Sequence, residues 1–379
     1  MSLARCLRLA AIRLAALTLA ALTLAPRVPA FGIDTDLRIG VVLPLSGAGS
    51  AEGSAVRNGF ELARREHPEK LATVSFRFQD TRSDANRSIT AFNRFRQFEG
   101  ADLIYVWGSE AARVIAPLAE ASPYPLVVAT SDPEVAAGRR WIFRFGNVSV
   151  QYTGAMLHYL RSEGVRRIGL IRSATPELER AAELLRRNLR RDELLEEVGV
   201  MTPGQRDLTP ILSRLAGRQY DALALYLPSE DLPRLYRLLP AGAVRLTFGA
   251  EALAEEEALR PAGAAILGAV FPGNYIPPPF RERYRKAFGN DNHLAAAVNG
   301  YDFAVLVGDL FGTLKNGELD FDQIADLLRS VRERAGEAGV YSFRANREFG
   351  QLFDVPVVLH RIEPSGIRTI NPAALRVGH

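Results

Sequence analysis

From residue 37 onward, short apolar runs alternate with longer segments that are apolar on one face only. The runs at 37–43 (LRIGVVL), 102–107 (DLIYVW), 125–129 (PLVVA), 166–172 (RRIGLIR) and 221–227 (DALALYL) lack regular polar alternation. Strands of that kind need cover on both faces, which parallel sheets obtain from flanking helices. Val56, Phe60 and Ala63 mark one intervening helical face, and Leu178, Ala182, Leu185 and Leu189 mark another. The pattern predicts an α/β chain. It places further strands at 73–79 and 244–248 and an apolar run at 264–271. Helices are expected at 150–162, 176–195, 207–215, 280–288 and 295–313. Residues 352–359 and 364–370 read as late antiparallel strands.

A chain of 379 residues is too long for one typical core and comfortable for two. Lys and Arg number 47 against 43 acids. The excess is Arg5, Arg8, Arg13 and Arg27, so the rest of the chain is balanced and does not suit a phosphate backbone. Those arginines flank the apolar run LAALTLAALTLA at 14–25, and Val28-Pro29-Ala30 offers small residues for cleavage. This layout predicts a secretory signal peptide over 1–30, cleaved after about Ala30. The run is short of the ~20 residues that cross a bilayer. The single cysteine, Cys6, lies in that segment, so the expected mature chain has no disulfide, thiolate metal site or cysteine nucleophile.

Motifs for phosphate, metal or nucleophilic chemistry do not emerge. Gly47, Gly49 and Gly53 lack dinucleotide-fingerprint spacing and read as a turn that lets a helix start close by. His67, His158, His293, His360 and His379 have no ligand-like spacing, so neither a metal nor another cofactor is expected. Glu255-Glu256-Glu257 reads as a solvated helix face. Arg186, Arg187, Arg190 and Arg191, with Glu179, Glu183, Asp192 and Glu193 nearby, read as a salt-bridged one. No catalytic set stands out, and the chain is not expected to be an enzyme.

Gly108-Ser109 and Ala129-Thr130-Ser131 each follow a strand and precede a helical segment. Open α/β sheets bind ligands at that edge, where free N–H groups and a serine hydroxyl suit a carboxylate. Ordinary capping or turn serines are the alternative.

Residues 39–63 read IGVVLPLSGAGSAEGSAVRNGFELA, followed by QDTRSDANRSITAF (79–92), IYVWGSEAARVIAPLAE (104–120) and PLVVATSDPEV (125–135). IFRFGNVSVQYTGAM (142–156), RDLTPILSRLAGRQYDALALYLP (206–228) and NGYDFAVLVGDLF (299–311) continue the series. In this order the chain resembles the periplasmic leucine/isoleucine/valine-binding family, the type I solute-binding proteins of amino-acid and amide ABC transporters. The resemblance implies two Rossmann-like lobes with parallel sheets, joined by a three-strand hinge around a ligand cleft. It assigns 31–149 and 273–349 to one lobe and 150–272 and 350–379 to the other. It implies a periplasmic, monomeric protein that captures a small-molecule ligand, an amino acid, amide, or aromatic or dicarboxylic acid. An ABC permease in the inner membrane is the implied partner, and nucleic acid is not one. A protein that signals ligand to a membrane receptor or kinase is the alternative.

The resemblance matches Ser109, Ala129 and Ser131, with Thr130 between them, to residues that hold a ligand α-carboxylate. It matches Glu251 to the carboxylate that pairs with the α-ammonium. The second lobe departs from the family, since Arg172-Ser173-Ala174-Thr175-Pro176 stands where a tyrosine is expected. Arg172 either meets a second acidic group on the ligand or is a strand-end surface arginine. Tyr226 lies near a second family aromatic, though alternation can turn it into the core. Trp107 is a candidate cleft wall or a core residue.

Overall fold

A computed structural model of the chain describes residues 37–202, 204–240, 244–312 and 319–375. The expected signal segment and Cys6 lie outside them. The first half of the described chain runs β1 (Leu37–Leu43), α1 (Ser50–Glu66), β2 (Val74–Asp80), α2 (Ala85–Arg94), β3 (Leu103–Trp107), α3 (Ser109–Ala121), β4 (Leu126–Ala129) and β5 (Ile142–Phe145). After α4 (Ser149–Ser162), a second series runs β6 (Arg167–Ser173), α5 (Pro176–Arg187), β7 (Leu194–Met201), α6 (Thr209–Ala216), β8 (Ala222–Tyr226), α7 (Leu232–Leu238), β9 (Leu246–Gly249), α8 (Glu256–Ala262) and β10 (Val270–Asn274). The chain then forms α9 (Pro278–Phe288), α10 (Leu294–Phe311), α11 (Phe321–Arg329), β11 (Arg334–Ala335), β12 (Val340–Asn346), β13 (Gly350–Asp354), β14 (Val357–Glu363) and β15 (Gly366–Leu375).

One sheet is ordered β11-β12-β13-β5-β4-β3-β1-β2 and the other β15-β14-β10-β9-β8-β6-β7. The parallel part is β13-β5-β4-β3-β1-β2 in the first and β10-β9-β8-β6-β7 in the second, and both share one doubly wound order over five strands, reversing between β1 and β3 and between β6 and β8. A reversal leaves a crevice at the carboxyl ends of the strands. The fold therefore has two lobes, each with its own ligand-type edge.

The first core packs β1, β3, β4 and β5 against α1 and α10, with Val41, Val106, Phe145 and Phe303 all buried. α10 is long and apolar enough to cross a membrane, yet it is the central helix of this core. It approaches α1 so closely that a Cβ on Gly59 would lie 2.0 Å from the Ala297 carbonyl, and one on Gly300 would lie 2.4 Å from that of Val56. The second sheet has core on both faces, Ile171 and Leu225 on one and Leu170 and Ala224 on the other. That is the two-sided burial the sequence pattern requires.

Three sequence expectations change. The helix expected over 176–195 ends at Arg187, and Leu194 starts β7. That strand lies at a sheet edge and carries Glu196 and Glu197, which pair with Arg218 and Arg172, so its composition hides its strand character. The run at 352–359 is two strands. Proline lacks the N–H a ladder needs, and at Val355-Pro356 the chain leaves the first sheet for the second. The run at 264–271 opens with a turn over Gly263–Ile266, and Gly268, with φ at 86°, redirects the chain into β10.

The three passages between the sheets touch through two asparagines. Asn147 donates from Nδ2 to Asn274 Oδ1 at 2.8 Å and accepts from the Val355 N–H at 3.2 Å. Tyr152 OH also donates to Asn274 Oδ1 at 3.3 Å. One side chain thereby ties together the segments after β5, β10 and β13.

The α1–α10 contact yields a stability test. Gly59→Ala should cost about 1–3 kcal/mol or more, because the obstacle is backbone and cannot rotate aside. Chemical denaturation of the purified chain measures it, and an unchanged midpoint would refute the close approach.

Candidate functional site

The carboxyl ends of β3 and β4 lie side by side, with Trp107 in register with Ala129. Gly108 turns the chain from β3 into α3 at φ 95°, a left-handed value that suits glycine, and its N–H donates to the Ala129 carbonyl at 3.0 Å. Ser109 then opens α3. Its hydroxyl meets that of Thr130 at 2.7 Å, and Thr130 Oγ1 also accepts from the Asp132 N–H at 3.1 Å. Ser131 is half-buried, and its carbonyl accepts from Ser149 N–H. The Ser131 N–H and hydroxyl have no hydrogen-bond partner among the described residues. This edge therefore presents free donors beside the start of a thirteen-residue helix, where anions are favoured.

Acidic side chains from both lobes gather nearby. Glu52, in the first turn of α1, accepts from Trp107 Nε1 at 3.3 Å. Glu52 keeps solvent-facing surface, yet the protein around it desolvates its carboxyl and raises its pKa. Glu177 and Glu255 of the second lobe add to that rise, against the bond from Trp107 and the charge of His293. Glu251 follows β9 at the mouth of the second sheet. Burial pushes its carboxyl up to about 7, and the charges of Glu255 and Glu52 reinforce the shift. Its Oε1 lies 3.1 Å from where a Gly273 Cβ would stand, so glycine there leaves room for the carboxylate. Burial raises the Tyr152 phenol and the charge of Glu251 adds to it, which places the carboxylate close to the hinge.

Glu255 corrects an expectation. It is not a solvated member of an acidic face. Its Oε2 lies 3.3 Å from His293 Nδ1 at the start of α10, and both side chains are about one-fifth exposed. The bond to Glu255 raises the His293 pKa against the effect of burial, with Glu52 and Glu257 adding to it. This contact joins a residue just before α10, in the first lobe, to one just after β9, in the second. Together with the influence of Glu52 on Glu251, it shows that the two strand-end edges face each other.

The remaining candidates are placed as follows. Arg172 is in register with Tyr226 on neighbouring strands. Its Nε pairs with Glu197 at 2.8 Å and its Nη2 with Glu179 at 3.7 Å. The Tyr226 ring is buried in the core formed with α4 and α5. Trp107 is half-buried beside Glu52. The structure thus brings Ser109, Thr130, Ser131 and Trp107 to one edge and Glu251 to the facing one. Arg172 is occupied by carboxylates of its own lobe. Sequence reasoning missed Glu52 and His293. The only signal for Glu52 was its position just after the glycine-rich turn, and His293 carried none. On the exposed face of α5, Arg186 and Arg187 do pair with Glu183.

The family described as periplasmic binding protein matches residues 36–357. The chain belongs to the periplasmic binding protein family. No curated protein matches it. Among solved structures, the leucine binding protein LivK from Thermotoga maritima is 21% identical, over 88% of this chain and 97% of its own, with a TM-score of 0.72. LivJ from Streptococcus pneumoniae in complex with isoleucine is 16% identical, over 88% and 99%, at 0.73. A solute binding protein of an ABC transporter from Rhodopseudomonas palustris in complex with 3,4-dihydroxybenzoic acid is 18% identical, over 89% and 96%, at 0.73. These likenesses show the type I periplasmic binding protein fold. The family is one of solute-binding proteins, periplasmic or extracellular; of these neighbours one is a leucine binding protein, one belongs to a branched-chain amino acid transporter, and one belongs to an ABC transporter and holds an aromatic acid.

The raised pKa of Glu251 sets a pH dependence. The folded protein holds a proton there that the unfolded chain releases near 4.5, so the carboxyl's contribution to stability falls as pH rises from about 5 to 7. Glu251→Gln removes that slope. Relative to its difference from wild type at pH 5, the variant should melt about 2–4 °C higher at pH 8. A wild-type-to-variant difference that does not change with pH would show an ordinary carboxyl.

Proposed function

We propose that this periplasmic binding protein is the solute-capturing subunit of an ABC importer and that its solute is a small zwitterion. The solute's carboxylate meets the Ser109 N–H at the start of α3 and the free N–H and hydroxyl of Ser131. Its ammonium meets Glu251, with Glu52 nearby. The observation that carries this reading is that free donors at one strand end lie beside a cluster of carboxylates drawn from both lobes. One strand end offers the unpaired N–H and hydroxyl of Ser131, while Glu251 and Glu255 of the second lobe come near Glu52 of the first, and burial, with their charges adding to it, raises the pKa of Glu251 and Glu52. An ammonium between the lobes relieves that repulsion, whereas a dicarboxylate adds to it. Among the acids and amides the family fold accommodates, an amino acid therefore fits better than an aromatic or dicarboxylic acid.

Binding that contacts both lobes favours the closed form by its difference in affinity for the two states. A membrane permease then recognises that form. The export segment expected at 1–30 accords with a periplasmic location, and a monomer is the simplest state consistent with lobe closure.

A melting-temperature screen of the protein against amino acids, amides, aromatic acids and dicarboxylates tests the reading, since a ligand of the folded state raises the midpoint. Amino acids should raise it and dicarboxylates should not. Glu251→Ala should weaken an amino-acid ligand by about 2–3 kcal/mol, the scale of a charge-assisted contact. A dicarboxylate that stabilises wild type and variant alike would overturn the zwitterion assignment.

A further inference from the structure

Arg144 lies in β5 and is fully buried, although strand interiors of this kind normally exclude a guanidinium. Its Nη1 donates to the Thr130 carbonyl at 2.8 Å and its Nη2 to the Pro133 carbonyl at 3.0 Å. Its Nε is buried without a hydrogen-bond partner. No ion pair reaches it among the described residues. The nearest acid acting on it, Asp132, is held by Arg113 Nε at 2.5 Å and by the Glu134 N–H at 3.0 Å. Burying a guanidinium without a carboxylate in contact is costly, on the order of several kcal/mol. Burial lowers its pKa, to about 10, and leaves it charged at neutral pH.

The two carbonyls explain the geometry. The peptide group that carries the Thr130 carbonyl also carries the Ser131 N–H. That peptide bond is trans, so in its plane the two groups point in opposite directions. A guanidinium bound to the carbonyl fixes the plane and aims the Ser131 N–H away from Arg144. It also polarises the unit, making that N–H a stronger donor. The Pro133 carbonyl anchors the other end of the same loop.

Resting on the proposed carboxylate site, we infer that Arg144 is the positioning residue that makes the 129–133 loop selective for anions. It orients the Ser131 N–H and supplies a buried positive charge behind it. The loop thereby distinguishes a carboxylate from a neutral carboxamide of the same shape. Arg144 does not touch the ligand; it acts through the Thr130–Ser131 peptide.

The test uses a minimal carboxylate and its isosteric amide, so it does not depend on knowing the solute. Acetate and acetamide are titrated into the protein at matched ionic strength, and the amide resonances of Ser109 and Ser131 are followed by NMR. Hydrogen exchange at Asp132 and Glu134, whose N–H groups are bonded within the loop, is measured in the same samples. Acetate should shift Ser131 in wild type at a concentration about tenfold below acetamide, the scale of one charge-assisted bond. Arg144→Met should abolish that preference and speed exchange at both amides. Arg144→Lys, which keeps the charge but cannot span two carbonyls, should speed exchange while keeping most of the preference. If Arg144→Met does not fold, the wild-type preference and the lysine variant decide alone. Equal response to acetate and acetamide in wild type, or a preference surviving in Arg144→Met, would overturn the inference. A failed solute screen with an intact acetate preference would instead overturn the zwitterion reading and leave the anion loop standing.

Discussion

Strands buried on both faces leave a protein one place for polar chemistry, the strand ends. In this chain β3, β4 and β8 are apolar along their length, and so are β1, apart from Arg38, and the middle of β6. Hydroxyls, free N–H groups and carboxylates therefore collect where the strands stop. Each sheet reverses its winding once, which parts the loops on either side of the reversal and opens an edge there. Two such sheets with their edges turned inward make a gap whose walls are loop residues on rigid supports. Trp107, Ser109, Ser131 and Glu251 all lie within a few residues of a strand end.

The gap is electrically uneven. Arg144 stands behind one wall, charged and without a carboxylate in contact. Glu52 projects from the first lobe toward Glu251 and Glu255 of the second, with His293 neutralising part of the cluster. Without a cation between them these carboxylates oppose close approach of the lobes, and the His293–Glu255 contact favours it. Like charges in partly desolvated surroundings repel more strongly than in water. An interlobe distance set by this balance responds to a bound charge more than one set by apolar contact would.

The parallel-sheet architecture was legible because two-sided burial writes itself as unbroken apolar runs, as in LIYVW and ALALY. β7 was not, because an edge strand carrying Glu196 and Glu197 has the composition of a helix surface. Candidate residues at strand ends could be named from position alone, as Ser109 and Ser131 were. Those defined by partners from distant segments could not. Glu255 looks like one of three solvated acids until His293 is brought beside it. Arg144 sits in a phenylalanine-rich strand, IFRF, and nothing local to that strand announces that its guanidinium spans two carbonyls of the preceding loop.

The hinge links these observations. Asn147 follows Arg144 by one turn of chain, and its side chain reaches both the end of β10 and the start of the passage to β14. His360 adds a second tie, its Nε2 lying 3.1 Å from the Asn274 carbonyl and its Nδ1 3.2 Å from the Thr369 hydroxyl. Because a carbonyl only accepts, the proton sits on Nε2, and Nδ1 accepts from Thr369. Burial lowers the His360 pKa, which keeps this neutral tautomer. Neutrality matters because Glu251 lies near the same ring, across Gly273. A charged imidazole there would compete with a ligand ammonium for the carboxylate. The same burial that deprotonates His360 also keeps Glu251 short of partners, so the floor of the gap holds a carboxyl that gains most from a cation supplied from outside.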